Sequence, residues 1–270
     1  MTSHAPAGRA SRAVGAVLML TLAAGCAAAA EEGVSSIRAP RGIVEGALTV
    51  CSDMPYKPFE SMKDGKPVGF DIDLIREVAA DLDLRLEIKD TDFDAIQSGE
   101  ALNSGQCDVA ISAMTITGER ARVLDFSSPY FDASQALVVA KGSGIDSLDD
   151  LADQRIGVQG GTTGELYVTD NAPSSAEVMP LKDAAAMEDA LTTHVVDAAV
   201  YDNTVVSDVV ANNPTFEVSA EFDTGEQYGM AVKKNGNVEL LRSINKVLAT
   251  LETNGGYNKI YVTWFGRAQE

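Results

Sequence analysis

The chain has 270 residues, with 45% hydrophobic and 23% charged side chains and a formal charge of −19. That length suits two lobes better than one core, and the composition is that of an ordinary globular protein. So acidic a balance, with no basic stripe to counter it, excludes nucleic acid as a partner.

At the N-terminus, Arg9 and Arg12 precede an apolar run of 12 residues, Ala13–Ala24, followed by Gly25-Cys26. A membrane-spanning helix needs about 20 apolar residues, so this run reads as a signal peptide. Leu22-Ala-Ala-Gly-Cys26 resembles a bacterial lipoprotein signal, which implies that Cys26 is diacylated, becomes the new N-terminus and anchors the chain to the outer side of the cell membrane. An ordinary secretory signal cleaved nearby is the alternative. Residues 1–25 are therefore expected to be a leader, and 26–46, small and polar, a flexible tether.

Folded structure is expected to begin at Leu48-Thr-Val-Cys51, a short apolar strand. Phe70, Leu74, Ile75, Val78, Ala79 and Leu82 recur at helical spacing. Leu84, Leu86 and Ile88 alternate as a strand does. Residues 94–104 read as one helix and Asp108–Ser112 as a buried strand. This β-α-β-α-β order predicts an α/β fold with a mostly parallel sheet flanked by helices. A second series follows: a helical turn at Leu148–Leu151, strands at Arg155–Val158, Val178, Ala198–Val200 and Phe216–Val218, and helices from Thr163, at Ala184–Leu191 and near Thr204–Ala211. Ala136–Ala140 and Tyr228–Val232 read as two extended crossovers, with closing helices at Val238–Leu251 and Tyr257–Phe265. The expectation is two lobes, 47–138 with 232–270 and 142–228, joined by a two-strand hinge near 138–141 and 229–231.

Cys51 and Cys107 fall several residues apart in register if their strands are parallel neighbours, which is too far for a disulfide. Two reduced, buried thiols are expected. No CxxC or Cys/His cluster has metal spacing, and only His4 and His194 exist, so no metal, no cofactor and no His-based catalysis are expected.

In open parallel sheets, ligands sit outside the carboxyl ends of the strands. Four groups fall there: Asp53 with Tyr56; Phe93; Ser112 through Arg120, including Ala113 and Thr115; and Gln159-Gly-Gly-Thr162-Thr163-Gly164 opening a helix. Asp202 follows another strand. Arg offers a planar fork that matches two carboxylate oxygens, and a helix N-terminus favours an anion. A cation at one end and an anion at the other suit a zwitterion, so the inferred ligand is an amino acid. Read singly, Tyr56 and Phe93 are packing aromatics, Arg120 a solvated helix residue, and Asp202 and the threonines caps; the joint pattern favours a site.

Val68-Gly-Phe-Asp-Ile-Asp-Leu74, Thr115–Arg120, Asp125-Phe-Ser-Ser-Pro-Tyr130, Gly161-Thr-Thr163 and Gln227-Tyr-Gly229 resemble the polar amino acid–binding proteins of bacterial ABC importers, over residues 47–266. The resemblance implies a two-lobed periplasmic-binding-protein fold that closes over its ligand. It implies that Arg120 and Thr115 hold the α-carboxylate with Thr162 or Thr163 and the backbone near Ala113. Asp202 would take the α-ammonium with Ser112 assisting, Tyr56 and Phe93 would sandwich the side chain, and Asp53 would reach its far end. Further implications are a monomer, ABC permease subunits as partners and, since no Walker A motif occurs, an ATPase on a separate chain. Gln227-Tyr-Gly229 and the Thr-Gly after Thr162 lean toward a glutamine-like ligand, with a basic amino acid as the nearest alternative. An enzyme on this fold, such as a dehydratase of a cyclic acid, would need a spare carboxylate; Glu60 and Glu165 are the candidates.

Overall fold

The computed structural model describes residues 44–266. The expected leader, most of the expected tether and Cys26 lie outside the described residues. β1 (Ala47–Ser52) is buried at every position, as a central parallel strand covered on both faces must be. A small hairpin follows, β2 (Ser61–Lys63) and β3 (Lys66–Val68). α1 (Phe70–Asp81) buries Phe70, Ile72, Leu74, Ile75, Val78 and Ala79. Gly69 leads into it at φ 146°, where a Cβ would stand 1.8 Å from the Phe59 carbonyl oxygen; only glycine fits.

β4 (Arg85–Asp90) runs parallel to β1. The helix expected over 94–104 is two short ones, α2 (Phe93–Gln97) and α3 (Glu100–Asn103), because Gly99 breaks it in the left-handed region at φ 79°. β5 (Val109–Ala110) is parallel to β1, and β6 (Leu124–Phe126) follows after a turn of 3-10 helix at Arg120–Arg122.

β7 (Phe131–Ala140) pairs with the second half along its whole length. The chain therefore changes sheet at 127–130, ahead of the expected crossover at 138–141. Ala136–Ala140 is apolar because β7 lies inside the second sheet, between two partners, and not because it bridges the halves. The remaining elements of that half are β8 (Arg155–Gln159), α4 (Thr163–Asn171), β9 (Glu177–Leu181), α5 (Ala184–Thr192), β10 (Ala198–Asp202), α6 (Val206–Asn212) and the long β11 (Phe216–Tyr228).

The return passage is broken at Gly229-Met230 before β12 (Ala231–Lys233). A Cβ on Gly229 would meet Ile116 Cγ1 at 2.7 Å. Hydrogen bonds from Ser127 N–H to the Met230 carbonyl, 2.8 Å, and from Tyr130 N–H to the Tyr228 carbonyl, 2.9 Å, hold the two passages side by side. α7 (Val238–Asn254) and α8 (Gly256–Phe265) pack on α1.

The result is two sheets flanked by helices, in the orders β4-β1-β5-β12-β6 and β11-β7-β10-β8-β9. The two-lobed α/β expectation holds. The sheets are parallel where βαβ units build them and antiparallel at β12, β6, β7 and β11.

The expected free thiols are a disulfide. Cys51 and Cys107 are bonded, with Cα atoms 5.8 Å apart. The expected separation holds only for a chain already extended at Cys107. This chain is not, because the segment ahead of β5 is tied to the end of β4 instead. Lys89 Nζ donates to the Gln106 carbonyl at 2.6 Å and Gln106 Nε2 to Thr91 Oγ1 at 3.2 Å. This brings Cys107 within bonding reach of Cys51, a separation typical of a bridge.

Candidate functional site

All ten expected site residues, Asp53, Tyr56, Phe93, Ser112, Ala113, Thr115, Arg120, Thr162, Thr163 and Asp202, line one cleft. The first half supplies its wall from the ends of β1 and β5. Beyond β5, Ala113 takes a left-handed φ of 43°, which is costly for a residue with a Cβ. Its N–H donates to Asp71 Oδ2 at 2.8 Å, and Tyr130 Oη donates to the same oxygen at 2.8 Å. Ser112 Oγ donates to Glu60 Oε1 at 2.8 Å and accepts from Asp53 N–H at 3.0 Å. A hidden pair of acids thus shapes this turn. Burial raises Asp71 to about 7 and, reinforced by Asp71, pushes Glu60 well above the carboxylate range.

Arg120 is held rigidly. Its Nη1 donates to the Thr115 carbonyl at 2.8 Å and its Nη2 to the Gly161 carbonyl at 2.9 Å. Its Cζ lies 5.1 Å from the Phe93 ring centroid, within cation–π range. Burial lowers its pKa to about 10 against the pull of Asp202 and Glu226, so it stays charged at neutral pH. Two bonds do not exhaust five N–H donors, and the guanidinium can still turn a fork toward a carboxylate.

From the second half, β8 runs into Gln159-Gly-Gly-Thr162 and α4. Thr162 Oγ1 accepts from Glu165 N–H at 3.2 Å and donates to the Gln159 carbonyl at 2.7 Å. That is an N-cap, so its hydroxyl is committed to the helix. Asp202 ends β10 at 9% exposure. Its Oδ1 accepts from Gln135 Nε2 at 2.7 Å and its Oδ2 from Tyr228 Oη. Burial, and then the charge of Glu226, raise it to about 6. The cleft therefore has a cation and an anion fixed by different halves.

Asp53 Oδ2 accepts from Gln159 Nε2 at 2.8 Å. Burial again raises the carboxyl to about 6; the Gln159 bond opposes this, and Asp183, Asp90 and Asp92 add to it. Glu60 and Glu165, the carboxylates an enzyme reading would need, are not among the lining residues. Glu165 Oε2 accepts from Gly161 N–H at 2.7 Å. Among the described residues no cluster of His, Cys, Asp and Glu could hold a metal.

Gln135, Gln159, Gly164, Met187, Val200 and Tyr201 also line the cleft, and Glu226 stands behind Thr115 and Thr163. Sequence reasoning passed over Gln135 and Glu226 as site residues. The signal for Glu226 is period-2 alternation: it shares a strand face with Tyr228, which is fully buried. Gln227, which suggested a glutamine ligand, points the other way and donates to Asp132 at 2.9 Å on the exposed side.

A sequence profile of the bacterial extracellular solute-binding proteins, family 3, matches residues 48–267. A probable histidine-binding protein of Neisseria gonorrhoeae is 32% identical over 225 residues, 81% of this chain and 82% of its own. An ABC transporter glutamine-binding protein of Bacillus subtilis is 33% identical over 204 residues, covering 74% and 73%. Solved structures of an ancestral arginine-binding protein, bound to arginine and bound to glutamine, match at TM-scores of 0.77 and 0.78 and 43% identity; they cover 82% and 83% of this chain and 99% and 100% of theirs. Each of these is named as an amino acid–binding protein, and the Bacillus subtilis relative as one of an ABC transporter. This chain belongs to the family 3 bacterial extracellular solute-binding proteins, an amino acid–binding family of ABC transporters.

Proposed function

We propose that the protein captures a free α-amino acid with a cationic side chain, arginine-like, and hands it to an ABC permease powered by an ATPase on another chain. The observation that carries the choice of side chain is Asp53. Its half-buried carboxyl lines the cleft, and burial together with Asp183, Asp90 and Asp92 opposes its ionisation, which a ligand cation would relieve. The zwitterion's poles would meet Arg120 and Asp202, with Tyr56 and Phe93 against the aliphatic stem. Glutamine is the second reading: the bond from Gln159 Nε2 shows that Asp53 accepts from an amide, and the ancestral relative is solved with both ligands.

In this reading the lobes are 47–126 with 231–266 and 131–228. Closure about 127–130 and 229–230 traps the ligand, because each lobe contributes one charge. Cys26 is the lipid anchor, and the protein works outside the cytoplasm as a monomer. Isothermal titration against the common amino acids tests the reading. Tightest binding of L-arginine or L-lysine supports it, tightest binding of L-glutamine favours the second reading, and no binding of any amino acid ends both.

A further inference from the structure

Four side chains converge on the carboxylate of Glu226, which is 8% exposed. Oε2 lies 2.6 Å from Thr115 Oγ1 and 2.6 Å from Thr163 Oγ1. Oε1 lies 2.9 Å from Gln135 Nε2 and 2.8 Å from Thr224 Oγ1. Burial pushes the acid's pKa up, but the hydrogen bonds outweigh it and hold the group below its ordinary range, so it is ionised at neutral pH. An ionised carboxylate only accepts.

Each threonine hydroxyl has one proton, and both protons are therefore spent on Glu226. Thr115 and Thr163 come from opposite halves, lie 3.5 Å apart and both line the cleft. What they turn toward a ligand is lone pairs, which repel a carboxylate and accept from an ammonium. This reverses the role expected for the two hydroxyls, leaving the α-carboxylate to the Arg120 guanidinium and to backbone N–H groups. Gln135 Nε2 donates to Asp202 and Glu226 together, so the two acids act as one assembly despite their mutual repulsion.

We propose that Glu226 is a positioning residue that fixes Thr115 and Thr163 as acceptors for the ligand's amine. By sharing one oxygen between hydroxyls of the two lobes, it also draws them together. The amine half of this inference rests on the amino-acid reading above; the lobe-bridging half does not.

The test is Glu226→Gln, which keeps the shape, with Thr163→Val as a second variant that answers should the first fail to fold. The probes are L-arginine and its α-hydroxy analogue, 5-guanidino-2-hydroxypentanoate, whose hydroxyl can donate or accept. Each variant is expected to weaken L-arginine by about tenfold to a hundredfold and the analogue by less than about threefold, the loss of one or two charge-assisted bonds. Equal losses for both probes overturn the assignment, since a packing defect does not distinguish amine from hydroxyl. Small-angle scattering of the ligand-free protein is the second arm. Wild type more compact than Glu226→Gln supports the bridge, and identical profiles overturn it. If wild type binds no amino acid, the functional reading fails and the scattering arm alone decides the role of Glu226.

Discussion

Replacing Asp202 with Asn tests the central electrostatic claim with almost no change of shape. Raising this carboxyl from its ordinary 3.8 to about 6 reflects roughly 3 kcal/mol of opposition to the ionised form. Three hydrogen-bonding partners, Tyr228, Gln135 and Tyr56, already work against that opposition, so what remains is charge awaiting a counter-charge. An ammonium placed beside it would recover about that energy, and Asp202→Asn would forfeit it, a loss of about 100-fold or more in affinity. Without ligand the sign reverses, since the variant no longer buries an uncompensated anion; its melting temperature should equal or exceed that of wild type. Titration calorimetry and thermal unfolding of the two proteins read both effects. Affinity within threefold of wild type in a variant of undiminished stability would sink the claim that Asp202 receives the amine.

Three further outcomes follow. Asp53→Asn should weaken L-arginine by tenfold or more while leaving L-glutamine within about threefold; equal losses would remove the basis for a cationic side chain. The pH dependence of ligand-free stability and of affinity should oppose each other. Asp71, Asp53 and Asp202 are raised to about 7, 6 and 6, so the folded state holds protons that the unfolded chain releases above 3.8. Their contribution to stability is therefore fully present below 3.8 and is lost as pH rises from there through 6 to 7, whereas affinity falls as pH drops below 6 and Asp202 gains a proton. Melting curves and titrations at pH 5 and 8 check both signs. Replacing Cys51 and Cys107 together with Ala should lower stability by up to about 4 kcal/mol, from the closure entropy of a loop spanning 56 positions; denaturant unfolding measures it, and no change would show that the loop is already restrained in the unfolded chain.

Much of the architecture was legible because it rests on local rules. The helical spacing from Phe70 to Leu82 and the apolar strands ending at Cys51 and Val200 announce βαβ units, and those units put Asp53, Ser112 and Asp202 at strand ends. The charges on Arg120 and Asp202 then suggested a zwitterion. What stayed hidden depends on chain path. Cys107 pairs with Cys51 because the chain is tied to the end of β4 at Gln106, which periodicity does not encode. Ala136–Ala140 has the same apolar character whether it crosses between lobes or lies inside one. Gln135 and Glu226 enter the site only through pairing across the second sheet, where Asp202 stands opposite Gln135. Hydroxyl polarity at Thr115 and Thr163 was beyond reach without knowing that an acid stands behind them.

The disulfide lies two residues from Asp53 and wholly within one half of the molecule. On the proposed function it stiffens the rim that would meet the ligand's side chain, while Arg120 and Asp202, proposed to hold the α-carboxylate and α-ammonium, sit on other segments. A reductant would therefore blunt discrimination between candidates sooner than it abolishes their retention, so a chain made in an oxidising compartment is the fussier one.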